Sequence, residues 1–227
     1  MDLIILDNIA FEFDIPALLK RIRVDESDPL AEEIRDLAAR AHEAARPKAV
    51  MKAAYIDSRG PDFIMVDGVK LTSKVLARNT ETVHRVFPYV ITCGTEIEAW
   101  SKSLGDPLLQ FYSDAIKEAA LRAAIAKAWK HMETVFGLGK VSTMNPGSLK
   151  DWPLEEQRPL FKILGKGIEA IGVTLTDSCL MLPVKTVSGL RFPTETTYEN
   201  CQLCPREVCP GRRAPYDKKL AKDKYGI

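Results

Sequence analysis

The sequence lacks both an excess of one charge and any long apolar run. Lys and Arg number 32 against 31 for Asp and Glu, which gives a formal net charge of +1 at pH 7. Such a balance offers no bulk electrostatic attraction to nucleic acid or to an anionic membrane. Uninterrupted apolar stretches are only a few residues long, whereas a transmembrane helix needs about 20 apolar residues. We therefore expect no nucleic-acid partner and no membrane partner.

The start of the sequence also lacks the features of a secretory signal. Residues 1–7 contain no basic segment, and their apolar run is too short for a signal core. The expectation is therefore a cytoplasmic protein, in which the five cysteines would not form a disulfide framework. They are interpreted instead as core thiols, metal ligands or redox groups.

The order of the predicted helices and strands indicates an α+β fold. Apolar spacing predicts helices over residues 28–46, 95–100, 108–136 and 153–164. β-Rich runs predict a strand or extended arm over residues 4–13 and strands over 49–56, 63–66, 85–93, 140–144, 171–175, 180–182 and 186–192. Since strands and helices do not alternate strictly, we predict an antiparallel sheet. The composition shifts after position 192, so residues 1–192 are predicted to form the main domain and residues 193–227 a Cys-rich C-terminal extension packed on it.

The sharpest local motif is a cysteine run in that extension. Cys201 and Cys204 form a Cys-x-x-Cys pair, and Cys209 follows five residues later. Thiolates at this spacing suit zinc or an iron–sulfur cluster, and both usually take four protein ligands. Cys179 is the preferred fourth ligand, because Cys93 lies in an apolar strand typical of a core thiol. The alternative is a reduced cysteine cluster or a redox dithiol without metal.

A second motif is a loop placed between a predicted strand and a predicted helix. Proline and glycine fix a tight backbone and let a ligand approach the main chain closely. The N–H groups at the start of the following helix would face the same region. The loop is interpreted either as a ligand-binding loop or as a plain connection, and its residues are Asn145, Pro146, Gly147 and Ser148.

Two acidic residues share a face near the start of the predicted long helix. Asp114 and Glu118 are four residues apart, a spacing that places side chains next to each other on a helix. The pair is interpreted as a polar ligand contact or as a solvated helix face.

Three segments together resemble the activation domain of vitamin B12-dependent methionine synthase, in its stand-alone form. The first is residues 105–115 (GDPLLQFYSDA) with the Ala-rich helix that follows, which resembles the family's long central helix. The second is residues 145–157, which resembles its Ser-Pro-Gly-Tyr loop and following helix. The third and most specific is residues 171–189 (IGVTLTDSCLMLPVKTVSG). The resemblance covers roughly residues 28–213, and the cysteine run is similar to one in free-standing members of the family.

The resemblance implies a fold and a cofactor. It implies a C-shaped single domain with a twisted antiparallel sheet flanked by helices, and S-adenosylmethionine bound in a shallow groove. No catalytic side chain is assigned, because the protein would mainly orient the methyl donor above cobalt. The residues expected to bind the methyl donor are Asn145, Pro146, Gly147, Ser148, Met181, Ser188 and Glu118.

The resemblance also implies partners. The protein would dock onto a corrinoid-binding protein or a methionine synthase core, which holds the cobalamin. It would thereby act as an activator of a cobalamin-dependent methyltransferase and support reductive remethylation of the corrinoid. A flavodoxin or ferredoxin-type protein is the expected electron donor.

Two positions depart from the family's pattern. The family places an arginine three residues before the loop proline, where it holds the carboxylate of the methyl donor, and this chain has Thr143 there. The tyrosine expected after the glycine is replaced by Ser148. Losing a charged hydrogen bond costs about 1.5–3 kcal/mol, so affinity for S-adenosylmethionine is expected to be about ten- to a hundredfold weaker.

Two other functions stay open. One is an iron–sulfur or zinc-binding electron-transfer protein on the same scaffold, with no methyl donor. The other is a non-catalytic docking module that caps a corrinoid domain.

Overall fold

A curled antiparallel sheet, shaped as a half-barrel and covered by helices, forms the body of the protein. The computed structural model describes residues 3–195, 198–209 and 211–226. The strands are β1 (Ile4–Leu6), β2 (Lys48–Met51), β3 (Ala54–Arg59), β4 (Phe63–Val66), β5 (Val69–Thr72), β6 (Arg85–Thr92), β7 (Val141–Met144), β8 (Thr174–Leu175), β9 (Met181–Leu182) and β10 (Thr186–Pro193). The α-helices are α1 (Ile15–Ile22), α2 (Pro29–Ala44), α3 (Lys74–Asn79), α4 (Thr95–Ser103), α5 (Pro107–Phe136), α6 (Gln157–Leu164), α7 (Lys166–Ala170) and α8 (Lys218–Leu220). This architecture agrees with the predicted combination of helices and an antiparallel sheet.

Strand β6 lies at the centre of the sheet. All of its residues after Arg85 are buried, as the apolar run over residues 85–93 predicts. One edge of β6 pairs with β10, and β10 pairs in turn with β7. The other edge is shared by β2, which extends to β1, and β3, which extends to β4 and β5.

A proline in β6 explains why one predicted strand becomes two. The sequence predicts a strand over residues 49–56, but β2 ends at Met51 and β3 begins at Ala54. Between them, Lys52 donates its N–H to the carbonyl of Pro88 at 3.3 Å. Proline has no N–H to donate in return, so the ladder is interrupted at this pair.

Helix α5 packs lengthwise on one face of the sheet. Its Ala124 and Ala128 are fully buried against a cluster that contains Tyr89 and Ile91. Such small side chains let the helix approach the sheet closely. Asp106 caps the first turn by accepting the Leu108 N–H at 2.7 Å. The long helix predicted over residues 108–136 is confirmed and begins one residue earlier.

Helices α6 and α7 cover the opposite face. Side chains alternate across a strand, so Val50 and Val90 point away from α5 and pack with Leu164 and Ile168. The helix predicted over residues 153–164 starts as a 3-10 turn at Leu154–Glu156 and becomes α-helical only at Gln157–Leu164.

Several local predictions are corrected by the structure. The arm over residues 4–13 is a strand only at Ile4–Leu6, and the unpredicted helix α1 follows. Its signal was present, because Asp14 accepts the Ala17 N–H at 2.9 Å and a proline stands in the first turn. Strand β5 and helix α3 were also missed. The strands predicted over 171–175 and 180–182 shrink to the short hairpin β8–β9.

The described part of the C-terminal segment packs on the body. Leu203 and Tyr225 are 4% and 6% exposed, and they share a cluster with Leu76 and Phe192. The Tyr225 hydroxyl donates to the Asn79 side-chain oxygen at 2.6 Å. The division of the chain after residue 192 stays a prediction, since this cluster continues across it. Across the described ranges, we find no helix that is long and apolar enough to span a bilayer.

Candidate functional site

The loop after β7 is held in one shape by its own backbone. The Ser148 N–H donates to the Asn145 carbonyl at 3.1 Å, and the Gly147 N–H donates to the Trp152 carbonyl at 2.8 Å. Gly147 has a φ of 82°, and a Cβ there would lie 2.9 Å from Leu154, so a side chain would be strained. Trp152 is fully buried and anchors the loop in the core.

Asn145 joins the loop to the centre of the sheet. Its amide nitrogen donates to the Tyr89 hydroxyl at 2.7 Å and to the Ser188 carbonyl at 2.8 Å. The amide fits there because Gly189 has no side chain, and a Cβ at that position would lie 2.6 Å from the Asn145 nitrogen. Of the predicted binding residues, the structure thus brings Asn145 and Ser188 together.

The residues of β10 and β7 that face α5 are partly exposed beside that helix, and we call this region the helix-side surface. It is formed by partly exposed residues: Ile125 and Trp129 from α5, Thr143 and Asn145 from the β7 region, and Val187 from β10. The two ends of this surface are marked by ion pairs to α5, which Lys185 makes at one end and Arg191 at the other. Six residues of strand separate these ends, which corresponds to about 20 Å.

Arg191 is the main functional candidate that the sequence reasoning missed. It is 6% exposed, and its guanidinium lies 4.3 Å from the Trp129 ring and 3.2 Å from a Glu133 carboxylate oxygen. In the β10–β7 ladder it stands directly opposite Thr143. Its Nε and Nη1 atoms have no hydrogen-bond partner within the described ranges. The available signal was a lone arginine inside an apolar run, between Leu190 and Phe192.

Glu118 lies at the other end of the helix-side surface, within an ion-pair network. Its carboxylate is 2.5 Å from Arg21, 2.9 Å from Arg122 and 3.9 Å from Lys185. Partial burial by itself would raise the pKa of Glu118, but the hydrogen bonds and charges of Arg122 and Arg21 outweigh it and lower that pKa. Glu118 is therefore a persistent anion, as a polar ligand contact or a structural pair would require.

Met181 lies apart from this surface. It sits in β9 and packs against the cluster of Ile168 and Ile171, on the sheet face opposite α5. The structure therefore does not bring Met181 together with Asn145 and Ser188.

The exposed side of the loop borders a second feature, which we call the tail groove. It has a volume of about 920 Å³ and lies between the loop and the C-terminal segment. Of the predicted loop residues, Gly147 and Ser148 line it. Asn145 instead points toward Tyr89, and Pro146 is buried. The loop thus separates the tail groove from the helix-side surface.

The loop that carries the tail cysteines is organised by Arg212. Its guanidinium donates to the carbonyls of Cys201 at 3.3 Å, Ala214 at 3.2 Å and Cys204 at 3.5 Å, and also to that of Arg206. One side chain thereby joins Cys201 and Cys204 to Arg206 and Ala214, and the Arg212 backbone N–H donates to the Cys209 carbonyl at 3.1 Å.

The Cys201 thiol accepts a backbone hydrogen bond that activates it. Its sulfur accepts the Arg213 N–H at 3.4 Å. Burial by itself would raise the pKa of Cys201, but the N–H groups of Arg213 and Ala214 and the Arg213 charge outweigh it and lower that pKa. A lowered pKa increases the thiolate fraction, which is the nucleophilic and metal-binding form.

The predicted metal ligands do not converge in the structure. Among residues 3–195, 198–209 and 211–226, no group of three His, Cys, Asp or Glu side chains could hold a metal ion. Cys201, Cys204 and Cys209 are partly exposed, whereas Cys179 is buried in the β8–β9 turn with a φ of 62°. The metal centre therefore stays a prediction that the geometry does not support. Cys93 is a buried core thiol, as its strand setting predicts.

Comparison with known proteins identifies the fold. No protein-family model and no curated protein matches the chain. The crystal structure of the MetH reactivation domain bound to AdoHcy is similar, with a TM-score of 0.64 and 14% sequence identity. The match covers 89% of this chain and 82% of that one. At this identity the likeness establishes a shared fold.

Proposed function

We propose that this protein activates a cobalamin-dependent methyltransferase by supporting reductive remethylation of its corrinoid with S-adenosylmethionine. The observation that carries the proposal is the fold, which matches the MetH reactivation domain over 89% of the chain. The structure of that domain contains AdoHcy, which is S-adenosylmethionine without its methyl group. The sequence resemblance over residues 105–115, 145–157 and 171–189 supports the same function.

The methyl donor would lie along the helix-side surface. Its carboxylate would pair with Arg191, whose guanidinium can bind a carboxylate through two parallel N–H groups, either Nε with Nη2 or Nη1 with Nη2. In either arrangement one donor, Nε or Nη1, has no partner in the described part of the chain, and the other, Nη2, donates to Glu133. Arg191 lies across the ladder from Thr143, so it would act in place of the arginine that the resembling family carries there. Because Arg191 is already paired with Glu133 at 3.2 Å, the ligand must displace that carboxylate, and weak affinity is expected.

The protein's own residues would serve to orient the donor. Asn145, fixed by Tyr89 and Ser188, holds the surface in shape beside the rigid loop. The corrinoid carried by the partner supplies the cobalt that accepts the methyl group. Holding donor and acceptor in one geometry is then the main contribution to rate.

The direct test is anaerobic mixing of the protein with a partner loaded with cob(II)alamin and a low-potential reductant. Methylcobalamin should form, seen by its absorption spectrum, only when S-adenosylmethionine and this protein are both present. Formation at the same rate without the protein would contradict the proposal.

A second candidate function is electron transfer or docking through a metal centre at Cys201, Cys204 and Cys209, with Cys179 as a fourth ligand. The lowered pKa of Cys201 favours it, although convergence of the ligands would need a rearrangement. The test is metal analysis of protein prepared without oxygen, beside a Cys204→Ser variant. Equal metal content in both proteins, or no metal in either, would exclude the centre.

A further inference from the structure

The tail groove combines apolar walls with a volume suited to a small molecule. Leu154 and Tyr216 line it and are 39% and 41% exposed, so they present apolar surface to the groove. Leu149 and Leu203 extend the apolar lining on the two sides. Its volume of about 920 Å³ lies within the range of about 300–1,000 Å³ that small-molecule sites occupy.

The charged residues of the groove give it a positive rim. Lys74, Lys150 and Arg206 line it and are exposed. The carboxylate that also lines it, Asp151, is already engaged: it accepts the Ser73 hydroxyl at 2.5 Å and the N–H groups of Lys74 at 3.2 Å and Val75 at 2.9 Å. Among the described residues that line the groove, three cations stand against one hydrogen-bonded carboxylate, which favours an anionic ligand.

We propose that the tail groove binds a small amphipathic anion, with an apolar body against Leu149, Leu154 and Tyr216. Its phosphate or carboxylate would face Lys150 and Arg206. The site is built from the loop on one side and the C-terminal segment on the other, so its ligand would also hold the two together. This site is separate from the helix-side surface, so the proposal does not depend on S-adenosylmethionine binding.

The alkylation rates of two tail cysteines can report whether the tail groove is occupied. Cys204 lines the groove, whereas Cys209, five residues along the chain, does not. The probe is 8-anilinonaphthalene-1-sulfonate, an anion with an apolar naphthalene and phenyl ring system. Its fluorescence rises when it is bound. At saturation it should slow iodoacetamide alkylation of Cys204 by about fivefold and leave Cys209 unchanged, read by peptide mass spectrometry. Equal slowing at both thiols, or no slowing at Cys204, would overturn the proposal.

Charge reversal tests the positive rim. The Lys150→Glu/Arg206→Glu double variant should weaken binding of the fluorescent probe about tenfold, because two favourable charges become unfavourable. The matched control is Lys127→Glu/Lys130→Glu, which changes the net charge equally on exposed positions of α5. The control should stay within twofold of the parent, and circular dichroism should show all three proteins folded. Equal weakening in both variants would contradict a specific site.

Displacement of the fluorescent probe by other compounds identifies the apolar part of the ligand. Flavin mononucleotide presents a planar ring with a phosphate, and dodecanoate presents an aliphatic chain with a carboxylate. Displacement of the fluorescent probe by either compound supports the proposal and assigns the ligand class. Displacement by neither would overturn the assignment of a biological amphipathic anion.

Discussion

Replacing Arg191 with methionine separates the stability of the domain from its proposed ligand binding. Methionine is unbranched and flexible, so it fills most of the space of the arginine stem. The substitution removes a guanidinium that is 6% exposed and has two nitrogen atoms without partners in the described part of the chain. It leaves Glu133 able to turn to solvent, because that side chain is 45% exposed.

In the absence of ligand, these changes together should make the Arg191→Met variant more stable than the parent protein. Each buried donor left unpaired costs about 1–3 kcal/mol in the parent protein. Against this stand the contact with Trp129, worth about 0.5–2 kcal/mol, and the half-exposed ion pair, worth about 0–1 kcal/mol. We expect the free energy of unfolding to rise by about 1–3 kcal/mol, in line with other replacements of buried charges.

Ligand binding should change in the opposite direction. Calorimetry should show affinity for S-adenosylmethionine about ten- to a hundredfold weaker in Arg191→Met. Methylthioadenosine, which lacks the carboxylate, should bind both proteins equally. A fall in the free energy of unfolding, measured in urea, would refute the reasoning on stability. Equal weakening for both compounds would refute the assigned contact, and no binding to the parent would instead refute the proposed function.

Other substitutions test the remaining features. Glu133→Gln should strengthen S-adenosylmethionine binding severalfold by calorimetry, because it frees Arg191, and Thr143→Arg should act in the same direction. Leu203→Ala should lower the free energy of unfolding by about 2–5 kcal/mol, measured in urea, since Leu203 is 4% exposed within the core cluster. Burial raises the pKa of Cys93 to about 12, so from about pH 8.5 upward only the unfolded chain releases this proton. Stability should then fall by about 1.4 kcal/mol per pH unit through Cys93, and Cys93→Ala should reduce that slope.

Three of these predictions have a matched control. Glu155→Gln removes another exposed carboxylate, in the 3-10 turn Leu154–Glu156, and should leave binding unchanged. Leu180→Ala truncates a leucine that is 47% exposed and should cost far less than Leu203→Ala. For Cys93, stability must be independent of the thiol below about pH 8.5, where both states keep the proton. A parent and a Cys93→Ala variant with identical slopes at high pH would contradict the assigned cause.

The elements that could be predicted from the sequence are those specified by local chemistry. The apolar run of β6 and the alanine-rich pattern of α5, with Asp106 before it and Gly137 after it, needed no tertiary information. The loop at Asn145 was likewise predicted from its Pro-Gly pair. Helix α1 was missed although its capping signal was present, and the break between β2 and β3 could not be predicted because it depends on which residue faces Pro88.

What the sequence determined by itself was therefore the combination of helices with an antiparallel sheet, the long helix α5, the buried central strand β6 and the loop at Asn145. What only the tertiary structure decided was which side chains meet. Asn145 reaches Tyr89 across 56 residues of chain, and Arg191 stands opposite Thr143 only because β10 and β7 pair in one register. A shift of one residue would turn Arg191 to the other face of the sheet. Register follows from the packing of both faces together, and no local pattern specifies it.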